Sequence, residues 1–405
     1  MHTELTQALQ GKPEAERAAQ LIQACVHCGF CTATCPSYQI LGNELDSPRG
    51  RIYLVKQLLE GEEGAAASAQ AHLDTCLTCR ACETTCPSGV QYGQIAEIGR
   101  HLADEQAPPR AMGDRLLRGL LGSGLTSPLF GPALTVGRLA RPLLPASLKA
   151  KVPARQRAGK TPKNAHPRRV LLLKGCVQPA MAPNIHAATV RVLDRLGIQA
   201  IDIEGCCGAL KAHLGDVKGG HSDMRALTER AGNQLGQVEA VLSNASGCGV
   251  MVKDFGNQLG SPMAHQVARA TRDLGEWLFD PELGFMEKLR QQLNGKNRLR
   301  LAYHPPCTLQ HGQKLKGGVE AGLKALGFEV MVPAESHLCC GSAGTYSVLQ
   351  PAIAGALRER KQGHLDALQA DVVASSNIGC ITHLAEGSKR PVRHWIEVLD
   401  EALNA

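Results

Sequence analysis

Two cysteine runs decide the fold of the N-terminal part of the chain: Cys25-Val-His-Cys-Gly-Phe-Cys-Thr-Ala-Thr-Cys35-Pro36 and Cys76-Leu-Thr-Cys-Arg-Ala-Cys-Glu-Thr-Thr-Cys86-Pro87. Both follow the spacing Cys-x2-Cys-x2-Cys-x3-Cys-Pro, which is typical of proteins that bind two [4Fe–4S] clusters. Three thiolates at i, i+3 and i+6 can curl a short loop around one face of a cluster, and the proline turns the chain away. The runs therefore predict a small helical domain with two clusters.

The predicted ligand sets cross between the runs, because the fourth cysteine of such a run points away from its own loop. The first cluster is predicted to bind Cys25, Cys28, Cys31 and Cys86. The second cluster is predicted to bind Cys76, Cys79, Cys82 and Cys35. The alternative is a pair of structural zinc sites, but zinc commonly uses two separated Cys-x2-Cys pairs. Two complete four-cysteine runs favour the iron–sulfur interpretation.

Composition places the chain among ordinary globular proteins of two or three domains, with 405 residues, 43% of them hydrophobic and 20% charged. No apolar run is long enough to span a bilayer, and Met1–Gln20 lacks the apolar core of a secretory signal. We therefore expect a cytoplasmic protein. Cytosolic thiols stay reduced, so its 16 cysteines indicate metal binding rather than disulfides.

An internal duplication dominates the chain from Val170 onward. Each copy supplies a lone cysteine, a Cys-Cys-Gly and a later Gly-Cys, and the matching cysteines are offset by 131, 133, 133 and 132 residues. Apolar strand-like runs alternate with helical stretches in both copies, which predicts a largely parallel sheet. The strand-like runs are Val170–Leu173, Ile201–Ile203, Val241–Ser243, Leu301–Tyr303, Val330–Val332 and Val372–Ala374.

The predicted fold is α/β: a small helical two-cluster ferredoxin-like domain followed by a duplicated α/β Cys-Cys-Gly domain. The predicted bounds are 1–106 for the cluster domain, 107–169 for a connector, and 170–285 and 286–405 for the repeats. One helix of the first domain is readable in detail, with Ser47 as its N-cap, Pro48 at its first position and Gly61 as its stop.

The cysteines of the repeats are candidate ligands of an additional metal centre, because glycines beside them let the backbone approach a bulky inorganic group. A merely structural cysteine-lined core is the alternative. The candidate ligands are Cys176, Cys206, Cys207, Cys248, Cys307, Cys339, Cys340 and Cys380.

The repeated Cys…Cys-Cys-Gly…Cys pattern resembles the cysteine-rich domain of heterodisulfide reductase. Nearly the whole chain resembles the iron–sulfur subunits of glycolate oxidase. Besides the first cysteine run, the stretches that carry this resemblance are Ser47-Pro-Arg-Gly-Arg-Ile-Tyr53, Cys307-Thr-Leu-Gln-His311 and Cys339-Cys-Gly-Ser-Ala-Gly-Thr-Tyr346.

The heterodisulfide reductase pattern ends in Cys-x-x-Cys. In this chain the final cysteine is replaced by Met251 in the first repeat and by His383 in the second. His383 is a candidate substitute ligand, and Met251 is a weaker one. His304, His311 and His337 also lie near cysteines of the second repeat. A histidine in such a position is more often a hydrogen-bonding residue than a ligand.

The resemblance implies flavin-binding partner subunits that oxidise glycolate to glyoxylate and, as a second substrate, D-lactate to pyruvate. This chain would relay their electrons to an acceptor such as a membrane quinone. We expect no catalytic residue in it, since hydride removal calls for a flavin or nicotinamide and neither a dinucleotide-binding glycine motif nor a P-loop is present.

Three other functions stay open. Iron–sulfur subunits of glycerol-3-phosphate and lactate dehydrogenases share this architecture. A heterodisulfide-reductase-like enzyme would act through the Cys-Cys-Gly domain itself. A metal-dependent scaffold would only join the other subunits of a complex.

The connector is strongly basic. From Ala107 to Arg169 it has 13 Lys or Arg against one acid, Asp114, so it carries +12, and the rest of a chain with net charge +7 carries −5. Leucines such as Leu120-Leu121 and Leu143-Leu144 are interspersed with its arginines. This composition is suited to an anionic membrane surface. We expect peripheral contact with the inner face of the cell membrane, with a solvated linker as the alternative. Aromatic residues make up only 3% of the chain, which argues against nucleic-acid binding.

Overall fold

The computed structural model describes residues 1–143, 153–293 and 299–405. Part of the predicted connector, including Leu144 and Pro145, lies outside the described residues. Residues 294–298, which fall in the predicted second repeat, also lie outside them.

Helices build the first domain around the two cysteine runs. They are α1 (Pro13–Ile22), α2 (Pro36–Leu41), α3 (Pro48–Glu60), α4 (Ala65–Asp74), α5 (Ala81–Thr85) and α6 (Tyr92–Gln106). The predicted start and stop of α3 are confirmed. The Ser47 hydroxyl accepts a hydrogen bond from the Gly50 amide at 3.0 Å, and Gly61 ends the helix with a φ of 74°.

In the described part of the connector there are two α-helices, α7 (Met112–Gly119) and α8 (Phe130–Ala140). A single π-helical turn, Leu120–Gly124, continues α7. Prolines after that turn prevent one continuous helix, as the sequence predicts.

Each repeat forms a four-stranded parallel sheet, and the two sheets have the same strand order. The first has the order β2-β1-β3-β4, with β1 (Arg168–Leu173), β2 (Ile198–Ile203), β3 (Val241–Ser243) and β4 (Thr271–Asp273). The second has the order β6-β5-β7-β8, with β5 (Arg300–His304), β6 (Glu329–Met331), β7 (Val372–Ser375) and β8 (Val392–His394). The predicted α/β duplication is therefore confirmed.

Helices follow the strands and cover both sheets. In the first repeat they are α9 (Gln178–Met181), α10 (Pro183–Arg195), α11 (Ala209–His213), α12 (Val217–Gly232), α13 (Ser246–Lys253), α14 (Phe255–Leu259), α15 (Pro262–Ala270), α16 (Leu274–Leu278) and α17 (Phe285–Leu293). In the second they are α18 (Gly318–Ala325), α19 (Tyr346–Leu349), α20 (Pro351–Asp366), α21 (Ile378–Ala385) and α22 (Trp395–Asn404).

One apolar core joins the two repeats. Trp277 and Phe285 pack with ring centroids 4.9 Å apart, and Phe279 packs on Trp395 at 5.3 Å. These rings belong to the same buried cluster as Tyr303 on β5. Because side chains from both sheets fill this core, the repeats form a single packed body.

The loops that follow β3 and β7 face each other across this body. The amide of Ser246 donates to the carbonyl of Ser376 at 3.0 Å. His394 Nε2 lies 2.9 Å from the carbonyl oxygen of Asn244. The cysteine-bearing loops of the two halves are thereby held on the same side of the molecule.

The shared core yields a stability prediction. Replacing Trp395, which is fully buried, with Ala should lower the free energy of unfolding by about 3–5 kcal/mol, because it leaves a cavity between the repeats. The exposed Leu129 is the control, and Leu129→Ala should change it by less than about 0.5 kcal/mol. Urea unfolding followed by circular dichroism measures both. Equal midpoints for the two variants would contradict a shared core.

Candidate metal centres

The first cysteine run surrounds a small cavity at the surface of the N-terminal domain. Cys25, Cys28 and Cys31 line it together with Cys86 from the end of the second run. Cys28 is exposed, whereas Cys25 is buried. Four soft sulfur donors around one cavity fit an iron–sulfur cluster.

The second run surrounds a deeper cavity. Cys76, Cys79 and Cys82 line it together with Cys35 from the end of the first run. Cys82 also lines the first cavity, so the two sites are neighbours. The structure thus brings together the two sets of four cysteines that the sequence predicts.

The loops of both runs share an unusual backbone. His27 and Thr78, two residues after the first cysteine of each run, have φ of 56° and 52°. Gly29 and Arg80, one residue after the second cysteine, have φ of 85° and 59°. Left-handed conformations at non-glycine residues are unfavourable, and they cluster where a site requires them. The same conformation at equivalent positions indicates that both loops are constrained by the same kind of site.

Polar groups surround the deeper cavity. The guanidinium of Arg51, a residue with 1% exposure, lies 3.8 Å from Cys35 Sγ and also donates to Ser37 and Thr75. The Tyr92 hydroxyl donates to Cys76 Sγ at 3.4 Å. Burial disfavours the Cys76 thiolate, but Arg51 and these donors outweigh it and lower the pKa of Cys76. The cavity is therefore suited to an anionic group.

Sequence reasoning missed Arg51 and Tyr92 as parts of this site. A signal for Arg51 exists, because it falls on the apolar stripe of α3, one turn before the buried Val55. An arginine among buried positions of a helix indicates a buried anionic partner. Tyr92 shows no comparable signal, since its contact with Cys76 depends on how α6 packs.

In both repeats the Cys-Cys-Gly motif forms the same turn. Gly208 and Gly341 have φ of 80° and 92°. A Cβ atom at Gly208 would lie 2.5 Å from the carbonyl oxygen of Gly220, and one at Gly341 would lie 2.5 Å from that of Ala354. Only glycine therefore lets the turn pack so closely against α12 in the first repeat and α20 in the second.

The thiols of each repeat form a row. Contacts run from Cys176 through Cys206 and Cys207 to Cys248 in the first repeat. In the second repeat they run from Cys307 through Cys339 and Cys340 to Cys380. All sixteen cysteines of the chain are free thiols, so neither row is a disulfide.

The two rows differ in accessibility. All four cysteines of the second row are buried, whereas three of the first row are half-buried. The first row opens onto a cavity of about 610 Å³, which Met251 also lines. The duplicated fold therefore presents one enclosed thiol site and one that a molecule can reach.

The N-terminal domain docks on the second repeat beside the enclosed row. Leu77 and Cys79 pack in one apolar cluster with Cys307 and Cys339. The Tyr346 hydroxyl donates to the carbonyl of Thr75 at 2.9 Å. The deeper cavity of the N-terminal domain is therefore next to the second row.

The candidate histidines occupy different environments. His311 bridges the domains, with Nδ1 3.0 Å from the Thr84 hydroxyl and Nε2 2.8 Å from the carbonyl of the half-buried His337. His383 Nε2 lies 3.2 Å from the carbonyl of Ala354. His304, by contrast, lies beside the thiols of Cys340 and Cys380.

Comparisons with protein families agree with this architecture. The model of the 4Fe-4S dicluster domain matches residues 21–90, and the model of the cysteine-rich domain matches residues 170–253 and 301–385. The fold and the thiol sites define an iron–sulfur protein that combines a dicluster domain with two cysteine-rich domains.

Known relatives identify the family. The chain is 46% identical to the glycolate oxidase iron-sulfur subunit of Escherichia coli, over 100% of this chain and 99% of the relative. It is 28% identical to a probable glycolate oxidase iron-sulfur subunit of Bacillus subtilis, over 90% and 89%. It is 27% identical to lactate utilization protein A of Geobacillus kaustophilus, over 57% and 98%. The chain belongs to the glycolate oxidase iron–sulfur subunit family, as the sequence predicts.

The Cys-Cys-Gly turn yields a second prediction. Gly341→Ala should lower the free energy of unfolding by about 1–3 kcal/mol, because the new Cβ meets a backbone carbonyl and φ is positive. Gly327→Ala is the matched control, since Gly327 has the same φ of 92° but open space around it. Thermal unfolding should show a larger loss for Gly341→Ala. Equal losses would mean that the close approach does not constrain the turn.

Proposed function

We propose that the protein is the electron-transfer subunit of a complex that oxidises glycolate to glyoxylate and also accepts D-lactate. The observation that carries this proposal is that three thiol sites adjoin one another. They are the exposed cavity of the first run, the deeper cavity of the second run and the enclosed thiol row of the second repeat. Flavin-binding partner subunits would take two electrons and two protons from the substrate. A quinone that gains two electrons and two protons would balance the reaction.

The residues that would hold the clusters follow from the two cavities. Cys25, Cys28, Cys31 and Cys86 would hold one [4Fe–4S] cluster. The other set, Cys76, Cys79, Cys82 and Cys35, would hold the second. When bound, such clusters carry single electrons. An additional centre in the Cys-Cys-Gly domain would extend this relay.

Electrons would enter at the exposed site. Val26 and Phe30 flank Cys28 and are 68% and 63% exposed. Apolar side chains exposed around a redox site are suited to a partner protein. We assign this surface to the flavoprotein, because it is where a flavin could come closest to the first cluster.

Electrons would leave through the 610 Å³ cavity. Four apolar side chains of the connector line one side of it: Leu121, Leu125, Phe130 and Leu134. The first thiol row lines another side, and Cys76 and Cys79, predicted ligands of the second cluster, also line it, so the cavity adjoins the relay. An apolar cavity with a few polar groups is the usual form of a small-molecule site. This lining suits the apolar ring of a quinone.

The outer face of the connector would rest on the membrane. Met112, Leu116, Leu120, Leu129 and Leu139 are exposed there, while other connector side chains cover the cavity. No helix among the described residues is both long and apolar enough to cross a bilayer. Exposed leucines within a segment of charge +12 favour an anionic lipid surface over a linker that only wraps the domains.

The reconstituted complex tests the proposed relay. The isolated chain, with its iron–sulfur centres loaded, should be reducible by dithionite and inert toward glycolate. Adding the flavoprotein subunits of the complex should make its visible absorbance bleach with glycolate. Glycolate-dependent dye reduction by the chain alone would overturn the proposal.

A charge at the entrance should interrupt that relay. Phe30→Glu should weaken binding of the flavoprotein about tenfold or more, since it places a carboxylate in an apolar contact. Val332→Glu is the control, because Val332 is an exposed apolar residue of the second repeat. Equal binding by the two variants would exclude this surface as the entrance.

Vesicle binding tests the connector. The chain should bind phosphatidylglycerol-containing vesicles better than pure phosphatidylcholine vesicles, and salt should weaken the binding. Leu120→Glu with Leu139→Glu should reduce it about tenfold or more, because two apolar side chains leave the lipid interface. Leu45→Glu, on the N-terminal domain, is the control. Undiminished binding by the connector variant would refute the membrane face.

A further inference from the structure

We infer that the second repeat holds a multi-iron centre in which His304 is a ligand, together with the four cysteines of the enclosed row. The inference rests on the proposed additional centre and names its place and its ligands. It also separates the two repeats, since the first has no equivalent imidazole.

The imidazole of His304 is buried and has no hydrogen-bond partner among the described residues. It ends β5 with 0% exposure, and neither Nδ1 nor Nε2 has a hydrogen-bond partner among the described residues. Leaving a buried polar group unpaired is unfavourable, because the group loses its hydrogen bonds to water and gains none in the protein. A bound metal would satisfy one ring nitrogen and remove part of that cost.

Two neighbouring thiols lie close enough to His304 to bind the same metal centre. One ligand atom each from His304, Cys340 and Cys380 lie within 4.8 Å of one another. Cys339 contacts Cys340, and Cys307 contacts Cys339, so the donors continue along a row. A tetrahedral zinc ion uses four ligands at a single point. Five donors spread along a row fit a centre with several irons better.

The strand register shows that the imidazole is specific to the second repeat. His304 pairs with Ser375 of β7, and Leu173 pairs with Ser243 of β3. Leu173 is therefore the counterpart of His304, just as Cys176 is the counterpart of Cys307. The first repeat has an apolar side chain at the position where the second has a metal-binding one.

A buried cation accompanies this difference. Lys361 of α20 is 2% exposed, and its Nζ donates to the carbonyl of Glu335 at 2.6 Å. The offset of 133 residues between the Cys-Cys-Gly motifs places Thr228 at the equivalent position of the first repeat. A positive charge near the enclosed thiols offsets the negative charge of a thiolate-bound centre.

The location suits electron transfer. Cys79 packs in the same cluster as Cys307 and Cys339, so the centre would adjoin the second [4Fe–4S] cluster. One electron would leave that cluster and reduce the centre. Replacing thiolate ligands with imidazole raises the potential of iron–sulfur centres, which favours transfer in this direction.

Pulsed electron paramagnetic resonance of the full chain labelled with ¹⁵N-histidine tests the inference. The reduced protein should show a histidine nitrogen coupled to an iron–sulfur centre, and it should contain more than about eight irons. His304→Leu, which copies the first repeat, should lose the coupling. His383→Gln should keep it, because His383 already binds the Ala354 carbonyl.

Two further variants separate ligation from folding. Cys380→Ser should lower the iron content toward about eight per chain, while Cys248→Ser in the first repeat should not. Absence of any histidine coupling, or a coupling that persists in His304→Leu, would overturn the inference. If the complex then still bleaches with glycolate, the proposed function stands and only the ligation of His304 is wrong.

Discussion

Cys35 and Cys86 each reach from their own run into the cavity of the other run, and the N-terminal domain is organised by this exchange. Each cavity has four thiols only because both runs contribute to it. The helices between the runs therefore act as spacers that fix the distance between two neighbouring sites. Arg51 adds the charge that such a site requires, since it is buried against Cys35 and held by Ser37 and Thr75.

The two repeats of the duplicated domain share a backbone fold but differ in the side chains around their thiols. The sheets share one strand order, and both Cys-Cys-Gly turns place a glycine against a helix carbonyl. The side chains around the thiols differ, with Leu173 in one repeat and His304 in the other. Only the first row opens onto the large cavity. The scaffold is thus used twice for sites of different access and polarity.

The connector has one side packed against the cavity of the first thiol row and another side exposed. Its inner residues close the cavity beside the first thiol row, and its outer leucines are exposed. Arg110 and Arg118 bind Asp74 of the N-terminal domain, so part of the basic charge is used internally. The segment therefore packs against the domains on one side and leaves apolar side chains exposed on the other.

The sequence by itself determined the cysteine runs, the duplication, the α3 boundaries and the family, because each depends on spacing or local chemistry. It did not reveal β4 and β8, since these edge strands, Thr271–Asp273 and Val392–His394, are mostly polar and lack the apolar run that marks the equally short β3. The sequence also did not show that His304 lacks a hydrogen-bond partner among the described residues, because burial is not encoded in the spacing of histidines and cysteines. Only the tertiary structure decided which thiol row is enclosed and which histidine faces it, since both depend on how distant segments pack.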